Sequence, residues 1–273
     1  WSVGWKPVCA DPERYRCRHG IGYTVIESLN ASIETELLMF VPIDEPLEVW
    51  KLTIRNISRK QRTLSLFTYI EWGLGAAPDW HREFHKCFIK TRYDRQLSAL
   101  FATKRLWEVP TENGHWNTDW PYVAFHSCST KPASFDGDKE SFLGMYGNQQ
   151  MPRSVLQGRL RKRAGDWLDP IASLQINVTL RPGEEETLSF VLGAASSFDD
   201  AKLFIKKYRS AEEVDNAMKR VRQRWSEYLG TVRVETPDEP MNIMLNTWLK
   251  YQAISGRISS RTAYYQTGGA YGF

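Results

Sequence analysis

The chain has 273 residues, 42% of them hydrophobic and 25% charged, enough to bury a sizeable core in one large or two ordinary domains. Its 36 basic and 32 acidic residues give a net charge of +4 and are well mixed, which excludes the concentrated basic footprint of a nucleic-acid binder. No apolar run approaches the ~20 residues that a membrane-spanning helix needs, and the opening residues have no signal-peptide pattern.

From residue 1 to about 195 the periodicity is that of strands. Trp50, Leu52 and Ile54 alternate with Lys51, Thr53 and Arg55, so one face of that segment is buried and the other wet. A turn at 56–60 follows, and 63–72 reads as the return strand of a hairpin, apolar on both faces. Residues 73–165, rich in Trp, His, Pro and Asp, are expected to hold long loops with further strands near 100–106 and 122–127. Leu174, Ile176, Val178 and Leu180 alternate again, and Arg181-Pro-Gly-Glu184 is expected to turn them into Leu188, Phe190 and Leu192 as a second hairpin. Strands and turns without helical periods between them predict a large antiparallel sandwich over 1–195.

At Ser197 the period changes. Ser197 caps a short helix whose stripe is Ala201, Phe204, Ile205 and Tyr208, and Ser210 caps another with Val214, Ala217, Met218, Val221 and Trp225, closed by Gly230. Thr231 to Glu235 alternates briefly. Thr236-Pro-Asp-Glu239 reads as a capping box, and Met241, Met244, Leu245, Trp248, Leu249 and Gln252 form the next stripe. Residues 196–235 are therefore expected to be a helical linker and 236–273 the start of an all-helical domain, running into a glycine-rich turn at the end. The chain begins without Met and ends in that uncapped turn, so it is expected to be a piece of a longer protein, with N-terminal strands and the rest of the helical domain lying outside it.

This order resembles glycoside hydrolase family 94, the inverting phosphorylases of β-linked disaccharides and the phosphorylase-like part of cyclic β-1,2-glucan synthases. The resemblance rests on Arg18-His-Gly-Ile-Gly-Tyr-Thr24, Phe40-Val-Pro-Ile-Asp44, Leu52-Thr-Ile-Arg-Asn56, Tyr69-Ile-Glu-Trp72, Phe142-Leu-Gly-x-Tyr146, Leu180-Arg-Pro-Gly-Glu-Glu185, Asn246-x-Trp248, Ser260-Arg261-x-Ala263 and Gly268-Gly-Ala-Tyr-Gly-Phe273 in the family's order. It implies a super-β-sandwich, linker helices and an (α/α)6 barrel that holds the catalytic site. It also implies a phosphorylase or glycosyltransferase acting on β-linked gluco-oligosaccharides, inorganic phosphate as co-substrate with no cofactor, a homodimer, and a catalytic Asp beyond this chain.

Among residues present, Arg257 and Arg261 stand four apart on a helical stretch, where a guanidinium could hold an anion, brace the sugar loop or make a structural ion pair. Gln266 and Tyr271 flank the glycine turn and could reach a sugar or simply pack, and Gly268, Gly269 and Gly272 would shape the sugar-binding loop. The substrate-binding candidates are thus Arg261, Gln266, Gly268, Gly269, Tyr271 and Gly272. His81-Arg-Glu-Phe-His85 places Glu83 wrongly for a zinc-protease motif and offers no third ligand, so 79–85 reads as a loop rather than a metal site. Asp136, Asp138 and Glu184 to Glu186 read as turn carboxylates, Trp116 and Trp120 as surface aromatics for a sugar, and Arg159 to Arg163 as a surface loop or a site for an anion or another subunit. Four cysteines without CxxC spacing fit reduced thiols in a cytoplasmic protein, and the triplets at Asn30, Asn56 and Asn177 carry no weight as glycosylation signals. A non-catalytic carbohydrate-binding or assembly module is the alternative function, favoured by the many aromatics and the missing acid.

Overall fold

The structure, a computed structural model, describes residues 1–75, 85–105, 107–111 and 114–255. The chain divides into two compact units, Trp1–Ala217 and Met218–Phe273.

The first unit is an antiparallel sandwich. Its larger layer holds eight strands in the order β1 (Arg14–Gly20), β2 (Tyr23–Asn30), β3 (Ile33–Phe40), β4 (Leu47–Asn56), β14 (Glu185–Ala195), β11 (Val123–Cys128), β8 (Ala99–Lys104) and β7 (Ile89–Asp94). The smaller layer pairs β13 (Pro170–Leu180) with β12 (Ser134–Asp138) on one side and with β5 (Arg62–Phe67) and the short β6 (Ile70–Glu71) on the other. A separate ribbon joins β9 (Trp107–Thr111) to β10 (Gly114–Thr118). The alternation of the sequence builds the core between the layers: Leu52, Ile54, Leu188 and Phe190 meet Leu174, Ile176, Val178 and Leu180. All six residues of β11 are buried, because its inner face meets the small layer and its outer face lies under α3 (Phe198–Lys207). Phe125 on that outer face stacks on Phe204 of α3 with ring centres 6.3 Å apart.

Both expected hairpins are corrected. β4 pairs with β3 and β14, while β5 pairs with β13, so the turn at 56–61 carries the chain from one layer to the other. The turn after Leu180 carries it back, since β14 pairs with β4 and β11 rather than β13. Alternation fixes which face of a strand is wet; it does not choose the neighbour. β5 is also not apolar on both faces, because Thr63 and Ser65 are exposed.

Asn56 ties the two crossings together. It is fully buried, and its Nδ2 donates to the carbonyls of Lys60 at 2.8 Å, Leu180 at 3.0 Å and Arg181 at 3.2 Å. Its Oδ1 accepts from Ser58 N at 3.0 Å and Ser58 Oγ at 2.7 Å. A glycan could not be attached to an amide enclosed in this way.

The region 73–165 is less loop-like than expected, holding β7 to β12 and two short helices, α1 (Lys139–Leu143) and α2 (Arg153–Leu156). The strands expected near 100 and 122 are present as β8 and β11. Ser197 caps α3 as its sequence implies, its hydroxyl accepting from Asp200 N at 3.0 Å, and Ala201, Ile205 and Tyr208 are buried. α4 (Ala211–Gly230) begins behind Ser210, with Val214 and Ala217 buried and Asp215 paired to Lys51 of β4.

In the second unit the alternating segment after Gly230 is extended but belongs to no strand. Its partners are side chains. Asn246 accepts from Val234 N at 2.8 Å and donates to Val234 O at 2.7 Å, and Asn242 does the same for Thr236 at 2.8 Å each way. These amides, four residues apart, stand in for a neighbouring strand. They sit on α5 (Glu239–Ile243) and the π-helical turn Met244–Trp248 that continues into α6 (Leu249–Ala253). The expected capping box is corrected: Asp238 caps α5, accepting from Met241 N at 3.3 Å, and Pro240 falls in the first turn. Of the expected stripe, Met241, Met244, Trp248 and Leu249 are exposed and Leu245 is half-buried, as are Asn242 and Asn246. Trp225 meets Tyr251 edge-on with ring centres 5.1 Å apart.

Candidate functional site

The six residues expected to bind sugar, Arg261, Gln266, Gly268, Gly269, Tyr271 and Gly272, lie outside the described residues, as does Arg257. So do residues 79–84 of the histidine motif, while His85 opens the 3-10 turn His85–Phe88. Trp116 lies on β10. Trp120 is half-buried against the sandwich core and meets Tyr122 edge-on with ring centres 5.1 Å apart.

The most connected polar centre among the described residues is one that local sequence did not single out. It forms where β6, the 3-10 turn, α1 and the approach to β13 converge. Glu71 Oε1 accepts from the Tyr69 hydroxyl at 2.7 Å and Gln149 Nε2 at 2.9 Å. Its Oε2 accepts from Lys139 at 3.0 Å and Lys86 at 3.2 Å. Asp169 binds the same two ammonium groups, at 2.8 Å from Lys86 and 2.9 Å from Lys139. Two cations thus sit between two carboxylates and the centre is neutral overall. Tyr69 and Glu71 belong to one of the motifs that carry the family resemblance, which was the available signal.

The electrostatics argue against acid–base chemistry here. Burial pushes the Glu71 carboxyl up, but hydrogen bonds from Tyr69, Lys139 and Lys86 outweigh it and hold the group down at about 2. Burial also pushes up the Tyr69 phenol, and the Glu71 carboxylate adds to the effect. Both lysines lose some basicity to burial and regain more from Asp169 and Glu71, ending above the ordinary lysine value. Glu71, Tyr69, Lys86 and Lys139 are all shifted away from neutral pH, near which a general acid or base works best. The cluster is a clamp that fastens α1 and Gln149 to the smaller layer. Glu71→Gln is expected to destabilise the protein by about 1–2 kcal/mol, a modest figure because the groups are part-exposed and solvent-screened. The midpoint of urea unfolding measures it.

Asp136 and Asp138 are corrected from turn carboxylates to the end of β12, where the register to β13 shifts. Asp136 is fully buried and accepts from Ser141 Oγ at 2.8 Å and Arg161 N at 3.1 Å. Burial raises its carboxyl despite those bonds, yet no substrate can touch it. Asp138 caps α1 through Glu140 N at 3.2 Å and pairs with Arg163 at 2.7 Å. Glu184 serves its turn, accepting from Arg181 N at 2.6 Å. Beside the clamp lies a cleft of about 370 Å³ walled by Lys139, Asp169, Arg163 and Trp167, with the exposed Met145 and Leu168 also lining it. No described helix is long and apolar enough to cross a membrane.

The first unit is thus a sandwich of two antiparallel layers, helices follow it, and Glu71, Asp136, Asp138, Asp169 and Glu184 are each engaged in bonds within it. Residues 1–211 match the family model described as glycosyl hydrolase 94, supersandwich domain, and residues 224–273 match glycosyl hydrolase 94 superfamily, catalytic domain. The chain belongs to glycosyl hydrolase family 94. It is 31% identical over 261 residues to the cyclic beta-(1,2)-glucan synthase NdvB of Rhizobium meliloti, covering 95% of this chain and 9% of that protein. It is 27% identical over 254 residues to the solabiose phosphorylase of Paenibacillus borealis, covering 93% of this chain and 32% of the relative. It is likewise 27% identical over 278 residues to the N,N'-diacetylchitobiose phosphorylase of Vibrio proteolyticus, covering 100% of this chain and 33% of the relative. The chain therefore spans about a third of the length of these phosphorylases and under a tenth of the synthase.

Proposed function

We propose that this chain is the sandwich and the opening of the catalytic barrel of an inverting carbohydrate phosphorylase or glycosyltransferase, acting on β-linked gluco-oligosaccharides to give a sugar 1-phosphate. The observation that carries the reading is the pair of consecutive family matches over 1–211 and 224–273, together with relatives that are themselves disaccharide phosphorylases. The chemistry fits that division. Inverting hydrolysis needs one carboxylic acid for the leaving oxygen and a second carboxylate to activate water. Phosphate is already an anionic nucleophile, so cationic and hydrogen-bonding groups that hold it in line replace the base. A single Asp then suffices, contributed by residues beyond this chain, and inorganic phosphate is the only co-reactant. On this reading the sandwich supports the barrel, 1–195 being sandwich, 196–235 linker and 236–273 barrel. Arg261, Gln266, Gly268, Gly269, Tyr271 and Gly272 shape the sugar pocket, and the protein works as a cytoplasmic homodimer.

The test is to give the complete protein β-gluco-oligosaccharides with and without phosphate. Release of a sugar 1-phosphate that requires phosphate is expected; hydrolysis independent of phosphate overturns the reading. Saturable binding of the same oligosaccharides by the 273-residue chain alone supports instead the role of a carbohydrate-binding module.

A further inference from the structure

In the dense basic run Arg159 to Arg163, Arg163 pairs with Asp138 and Arg161 donates its backbone N–H to Asp136. Lys162, between them, lines a second cleft, of about 700 Å³, together with Lys90, Arg92 and Arg95 from β7 and the turn after it. Sequence places these cations in two groups some 70 residues apart, and the fold brings them to one opening. Asp166 pairs with Lys90 at 3.2 Å, and no described carboxylate lies within ion-pair distance of Arg92, Arg95 or Lys162. The nearby Asp94 is occupied, accepting from Gln96 N and Leu97 N at 2.9 Å each.

The walls are partly aromatic. The Arg92 guanidinium lies over Phe198 at 4.5 Å and Phe101 at 5.6 Å, which leaves its N–H edge for a ligand. Tyr93 and Phe135 stack at 3.8 Å within the same wall. The segment bearing Lys162 is stitched down at both ends: Lys162 N donates to Phe135 O at 2.8 Å, and Gly165 N donates to Thr91 Oγ1 at 3.0 Å. Cations held on fixed backbone around an aromatic wall suit a small anion attached to a ring with an apolar face. At about 700 Å³ the opening has room for a monosaccharide derivative.

We propose that this cleft binds a sugar phosphate, with Arg92, Arg95 and Lys162 holding the phosphate group and Tyr93 and Phe135 forming the wall for the sugar ring. Choosing a sugar phosphate among small anions rests on the phosphorolytic reading, whose product it would be; the site itself is separate from the expected sugar-binding residues. The two can fail independently, because binding is read by titration and does not depend on turnover.

The experiment is calorimetric titration of the 273-residue chain with glucose 1-phosphate, inorganic phosphate, glucuronate and glucose. Saturable, salt-sensitive binding of glucose 1-phosphate is expected, with no binding of glucose. The double variant Arg95→Gln/Lys162→Gln, both positions exposed and an unchanged urea midpoint serving as control, should weaken it at least about tenfold. Equal binding of inorganic phosphate would remove the sugar from the proposal, and equal binding of glucuronate would remove the phosphate. Absence of saturation, or full binding in the double variant, overturns it. If the double variant does not fold, loss of glucose 1-phosphate binding in Arg95→Gln alone decides the same point.

Discussion

Replacing Asn56 by alanine is expected to lower the stability of the sandwich by about 3–5 kcal/mol, through several buried polar groups losing their partners at once. For a unit of this size that corresponds to a fall of about 10 °C in Tm. The carbonyls of Lys60, Leu180 and Arg181 would be left facing a cavity, and both layer crossings would be loosened together. Asn56→Asp makes the cause visible. It keeps the shape and the acceptor for Ser58 but presents a carboxylate oxygen to three carbonyls, so it should cost as much as alanine. Thermal unfolding of the two variants checks this, and a mild Asn56→Asp would show that shape rather than donation holds the corners.

The second large effect is pH-dependent and belongs to His126. The ring lies between the layers, Nδ1 donating to Val191 O at 3.0 Å and Nε2 accepting from the Thr68 hydroxyl at 2.9 Å. Thr68 Oγ1 in turn accepts from Leu174 N at 2.9 Å, so every proton in the chain is committed. Burial pushes the imidazole down to about 4, against a weaker upward pull from Val191 O. Above pH ~6.5 the ring is neutral whether folded or unfolded, and its contribution is fully present. As pH falls from there toward 4, the unfolded chain takes up a proton that the folded site refuses, and about 3 kcal/mol of stability is lost. Urea midpoints at pH 7.5 and pH 4.5 should differ accordingly in the native chain and much less in His126→Gln. An identical pH slope in the variant would assign the acid sensitivity elsewhere.

What could be read from the sequence was what depends on near neighbours along the chain. The wet and dry faces of β4, the Ser197 cap and the stripe of α3 are all set within a few residues and stand as expected, as does the alternation of β13 from Ile176 on, Gln175 being buried instead of wet. The failures share the opposite property. Adjacency in sequence puts β5 and β14 in hairpins with β4 and β13, whereas the corners tied by Asn56 carry each to the facing layer. The Glu71 clamp joins residues from positions 69 to 169, and no local pattern marks Lys86 or Lys139 as its members. Nothing local marks Asn242 and Asn246 as the partners of Thr236 and Val234, whose backbone their amides bind. The residues expected to touch sugar lie outside the described ones, so their role stands on the resemblance and on the proposed function.

The most direct measurement is kcat of the complete protein carrying Glu71→Gln or Asp136→Asn. If these carboxylates are structural, as their bonds and burial indicate, unfolding midpoints should fall while kcat for phosphorolysis stays within about twofold. A loss of kcat of about 10²-fold or more with folding intact, the scale of removing a general acid or base, would place the reaction's acid in the sandwich and contradict the division of labour between it and the barrel.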